Sequence, residues 1–113
     1  MNWEEAVAFA LSLPGTEMST SYGAPAVKAN GHTILSPGRE AGSFCLHIDR
    51  DTVEMLMETD PDNWWQTPHY AGWPAVLVRH ESADTDRVRL MIERARDQAA
   101  SRPRPRPRPV KKG

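Results

Sequence analysis

The 113-residue chain is 39% hydrophobic, which supplies one modest core and not two, and its single cysteine, Cys45, excludes an internal disulfide. The longest apolar run near the start, Ala6 to Leu13, follows the acidic pair Glu4 and Glu5 and is too short to span a bilayer, so a cytoplasmic protein with no membrane partner is expected. The net charge of −1 divides sharply: Arg102, Arg104, Arg106, Arg108, Lys111 and Lys112 hold six of the 14 basic residues, and the rest of the chain sets eight against 15 acidic ones, giving a body near −7 and a tail near +6.

In chain order, Asn2 is placed to cap a helix with Glu4 and Glu5 in its first turn. Trp3, Ala6, Val7, Ala10 and Leu11 form its apolar stripe, and Pro14-Gly15 stops it. Ala26 to Asn30 and His32 to Ser36 read as two short strands joined at Asn30-Gly31, the pair best suited to a tight hairpin turn. Ser43 to Ile48 alternates Phe44, Leu46 and Ile48 with Cys45 and His47, as a third strand with two unlike faces. Asp51 and Glu54 have capping-box spacing ahead of a short helix with Val53, Leu56 and Met57, ended by Asp60-Pro61. Ala75 to His80 reads as a buried strand, and Asp84 caps a last helix with Val88, Met91, Ile92, Ala95 and Ala99 inward.

This order predicts an α+β two-layer sandwich, α-β-β-β-α-β(β)-α, with a mostly antiparallel sheet, helices mainly on one face and the other face partly open. The domain spans residues 1–100. Residues 101–113, with four prolines and few apolar side chains, are expected as a disordered tail in which alternating Arg and Pro favour extended polyproline geometry.

The segments FALSLPGTE, SYGAPAVKANGHTI and TPHYAGWPAVLVRH together resemble the MmcQ/YjbR family of small bacterial proteins, over nearly all of Phe9 to Ala99. Leu13-Pro14-Gly15, Val27-Lys28, and His69-Tyr70 with Gly72, Pro74 and Val76 carry the resemblance. It implies a two-layer α/β fold compared with secretion chaperones and the CyaY-like fold, and DNA binding through a double-wing motif. A duplex-binding fold needs a basic face, and this body is acidic. The tail lies outside the resemblance.

No glycine-rich phosphate loop, nucleophile elbow, paired-cysteine motif or His-Glu-x-x-His helix is present, and His32, His47, His69 and His80 are too scattered for a local metal site. No cofactor and no enzymatic activity are expected. Cys45 and His47 share a strand face, but at about 7 Å between Cα atoms a lone cysteine is more often a packing residue than a nucleophile. Trp64, Trp65, His69, Tyr70 and Trp73 form a dense amphipathic group that either seals the end of the core or stacks on a ligand. Lys28 on the hairpin strand is either a solvated lysine that discourages edge pairing or a contact for an anion.

Two functions are compatible with these residues. In the first, the protein binds nucleic acid or another polyanion weakly and without sequence preference, the tail residues Arg102, Arg104, Arg106, Arg108, Lys111 and Lys112 supplying most of the attraction. In the second, a protein or small ligand binds the open sheet face or the His69 to Trp73 region, with the tail incidental.

Overall fold

The computed structural model describes residues 1–81 and 84–105. Helix α1 (Trp3–Leu11) starts at a full capping box: the Asn2 side chain accepts from the Glu5 N–H at 2.9 Å and Glu5 Oε1 accepts from the Asn2 N–H at 3.1 Å. Ala6 and Ala10 are buried, and the small stripe lets the helix lie close on the sheet. Leu11, expected inward, is exposed; Leu13, just past the helix, packs against the core instead.

Four strands come next, one more than expected. β1 (Thr16–Ser21), β2 (Ala24–Ala29), β3 (His32–Pro37) and β4 (Ser43–His47) form an antiparallel meander. β1 escaped the hydrophobic pattern because its sequence, TEMSTS, is polar and it occupies the sheet edge, where one ladder and no deep burial are needed. Between β2 and β3 the register slips: Val27 pairs with Leu35 and Lys28 with Thr33, leaving Ile34 unmatched. This bulge explains how the neighbours Ile34 and Leu35 both reach the core, where strict alternation would send one outward.

Helix α2 (Arg50–Thr59) is capped by Asp49, two residues before the Asp51 that the Asp51-Glu54 spacing suggested. Asp49 accepts from the Thr52 N–H at 3.0 Å, and its backbone N–H donates to Gln98 Oε1 at 3.1 Å, so the same residue ties α2 to the last helix. A two-residue strand, β5 (Trp64–Trp65), and β6 (Ala75–Arg79) complete a sheet of order β1-β2-β3-β4-β6-β5, antiparallel throughout. Helix α3 (Thr85–Ser101) is capped by Asp84, whose side chain accepts from the Arg87 N–H at 2.9 Å.

One apolar cluster joins Ala6 and Ala10 of α1, Val53 and Leu56 of α2, and the Val88, Met91, Ile92, Ala95 and Ala99 stripe of α3. Its sheet side is Val27, Ala29, Ile34, Leu35, Phe44, Leu46, Val76 and Val78. All three helices therefore cover one face, as the two-layer reading requires. A smaller cluster of Cys45, Tyr70, Ala75 and Leu77, with Trp65 against it, sits on the opposite face under the 66–74 loop. That loop packs on the β4-β6-β5 half of the second face; on the β1-β2-β3 half, which it does not cover, Ala26 is buried and Lys28 and Thr33 are half-buried. No helix among the described residues is long and apolar enough to cross a membrane.

Candidate nucleic-acid interface

The aromatic group divides by depth. Trp64 is 1% exposed and belongs to the helix-side core; the surface-contact expectation for it is corrected, because β5 turns its side chain under α2. Trp65, its neighbour, points to the other face, donates from Nε1 to Glu40 at 3.1 Å and lies under the Arg79 guanidinium at 4.9 Å, so both the edge and one face of its ring are occupied. Tyr70 is likewise buried, and its expected surface role is corrected with that of Trp64. His69 and Trp73 are exposed, their rings 6.1 Å apart. The Trp73 backbone is fixed by its N–H to the Tyr70 carbonyl at 2.8 Å and by Gln66 Nε2 to its own carbonyl at 3.0 Å, while its ring stays 56% exposed.

Cys45 and His47 do share a face, linked through Ser36: Ser36 Oγ lies 2.8 Å from His47 Nε2, and the thiol lies within hydrogen-bonding reach of Ser36 and Tyr70. Burial pushes the Cys45 thiol up to about 11 and His47 down to about 4. At neutral pH the pair is a thiol beside a neutral imidazole. A nucleophilic cysteine requires the opposite shifts, a thiolate beside a cation, so this arrangement is a polar brace within the sheet. Burial also raises the Tyr70 hydroxyl, against the lowering effect of its hydrogen bond with Arg39. No cluster of three metal-ligating side chains occurs among the described residues.

The open half of the sheet carries a different arrangement. The tail does not leave the body at Ser101, the last residue of α3. Asn30 Nδ2 donates to the Ala99 carbonyl at 3.3 Å and the Arg102 carbonyl at 2.6 Å, and His32 Nε2 lies 2.8 Å from the Pro103 carbonyl. Gly31, at φ +77°, makes room for the next two tail residues: a Cβ there would lie 3.0 Å from Pro105 Cδ and 3.3 Å from Arg104 Cγ. The hairpin turn that Asn30-Gly31 was expected to make is thus also the seat of the tail's first four residues. Arg106, Arg108, Lys111 and Lys112 lie outside the described residues.

A groove of about 750 Å³ runs beside this seat, lined by Lys28, His32, Thr33, Arg104, Tyr22 and Glu17. It continues past Tyr22, His32 and Thr33 into a cleft of about 630 Å³ bounded by Trp73, His47, Asp49, Gln98 and Arg102. Lys28, Arg102 and Arg104 make no ion pair with a described residue. Asp49 is the half-buried counterweight: desolvation opposes its ionisation, yet hydrogen bonds from Thr52 and Gln98 and the charge of Arg94 hold its carboxyl below the usual range. Its charge is therefore spent on the helix cap and on Gln98. Tyr22 was not singled out from the sequence; the signal was there in Tyr22-Gly23, a two-residue linker between β-prone polar runs.

A family model described as YjbR matches residues 11–98 of the chain. No curated protein and no solved structure matches it.

Proposed function

This chain belongs to the YjbR family, and we propose that it is a non-enzymatic cytoplasmic accessory protein that binds nucleic acid weakly and without sequence preference. The carrying observation is the seating of Arg102 to Pro105 on the hairpin turn, which sets Arg104 beside Lys28 and His32 on one groove. An acidic body alone repels a phosphate backbone. With the tail's exit fixed there, Arg104 shares a groove with Lys28, neither forming an ion pair with a described residue, although Glu17 lies across the ladder from Lys28 on the same groove. Flexible side chains of this kind meet phosphates without reading base edges, which supports indifference to sequence. A lone buried cysteine with no disulfide supports a reducing compartment.

Three chain lengths test the reading: the full chain, one ending at Pro105 and one ending at Ser101, each titrated into labelled nucleic acid at low salt. Affinity should fall in two steps, first with residues 106–113 and then, to below detection, with residues 102–105. A small ligand held in the cleft by His47, Gln98 and Trp73 is the competing reading, and under it none of the three lengths binds nucleic acid. Undiminished binding by the shortest chain would overturn the tail-centred mechanism.

A further inference from the structure

The two tight turns of the meander have the same form and different chemistry. Tyr22-Gly23 joins β1 to β2 with φ values of +52° and +78°, and Asn30-Gly31 joins β2 to β3 with +51° and +77°. A two-residue loop with both φ angles positive favours Asn or Gly at its first position, and a bulky aromatic there is strained. Asn30 fits that preference. Tyr22 does not, and it recovers nothing by packing, since its residue is 93% exposed. Strain of this kind, held at an exposed tip, points from the turn to a use for the side chain.

Tyr22 lines the same cleft as Trp73, whose ring is exposed while its backbone is fixed by Gln66 and Tyr70. We propose that this cleft takes an unpaired base, stacked on Tyr22 and Trp73, and that the preferred partner is single-stranded nucleic acid. The proposal rests on the nucleic-acid reading above and names its substrate class. Two exposed aromatic rings beside a groove with Lys28, Arg102 and Arg104 combine stacking with backbone neutralisation, the two elements from which single-strand sites are made. The cleft has the size of a small-ligand pocket. A base inside a duplex reaches such a cleft only by leaving its stack, at a cost an unpaired base does not meet. The acidic body adds to the discrimination, because a single strand has a lower charge density than a duplex and is repelled less.

The test is fluorescence anisotropy with the full-length protein, using fluorescein-labelled oligothymidylate and a mixed-sequence duplex of equal length at the same low salt. The single strand should bind more tightly, and Tyr22→Ala and Trp73→Ala should each weaken it roughly tenfold, the range of one lost stacking contact, while leaving the duplex unchanged. Tyr22→Asn adds a readout that a structural role would not give: it should lose the same affinity while its thermal midpoint stays equal or rises, because asparagine suits the turn. Equal binding of both probes, with no effect of either aromatic substitution, overturns the single-strand assignment and leaves the nucleic-acid reading standing. Failure of both probes to bind overturns both.

Discussion

His47 is the titrating group that the fold treats most severely. It lies between Ser36 and the cleft and is held neutral by burial, its value lowered from 6.5 to about 4. The unfolded chain takes up a proton near 6.5 and the folded one does not until about 4, so stability is complete above 6.5 and declines as pH falls between those values. The loss at the acid end is on the order of 3 kcal/mol. Urea unfolding at a series of pH values should show this decline in the native protein and a flatter profile in His47→Gln. Asp49, held low, keeps its contribution down to about 3.8 and loses it only below. Individual residues were the least legible part of the sequence. The adjacent tryptophans point to opposite faces, and nothing in Trp64-Trp65 says which one the strand turns inward, since that depends on pairing with Val78 and Leu77. Tyr22-Gly23 is legible as a turn but not as a site, because the role proposed for Tyr22 lies in a backbone angle and in neighbours far along the chain.

At the scale of elements, the informative piece is the Asn30-Gly31 turn, which closes a hairpin and receives the tail. Asn30→Gly keeps a residue that tolerates φ +51° and removes both hydrogen bonds to the Ala99 and Arg102 carbonyls. Stability should change by less than about 1 kcal/mol, the eased backbone offsetting the lost bonds. The Arg104 amide should pass from a rigid order parameter near 0.85 to below about 0.6 in ¹⁵N relaxation. An unchanged amide would mean that His32 and the Gly31 packing hold the tail without Asn30. The α3 stripe, the hairpin at Asn30-Gly31 and the Asp84 cap were all legible, because local chemistry decides them, while the α1 stripe missed at Leu11, which is exposed. The α2 cap was misplaced by two residues because Asp49 and Asp51 both suit the role locally, and the hydrogen bonds with Gln98, nearly fifty residues away, favour the first. β1 was missed because an edge strand needs a partner and little hydrophobicity.

For the whole molecule, the opposition of body and tail makes ionic strength the controlling variable. If all six tail cations meet phosphates, log affinity against log salt should have a slope of about −5 on duplex and about −4 on single strands, and fewer contacts make it shallower. A slope near zero, measured over a tenfold range of salt, would show that phosphate contacts contribute little. The charge split itself was plain from the sequence, and the placing of Arg104 beside Lys28 was not, since that depends on how α3 ends against β2 and β3. The position of α3 also governs the molecule's history. It is the last helix in chain order among the described residues, and it packs on β2, β3 and β4 and against α1. While a ribosome is still making this helix, the meander is already complete in sequence and its inward residues Val27, Ile34, Leu35 and Phe44 have no finished roof. In a chain made from its N-terminus, that face is covered only by α1 and α2 until α3 is added, and the tail that follows α3 takes its seat on the Asn30-Gly31 turn only after α3 is in place.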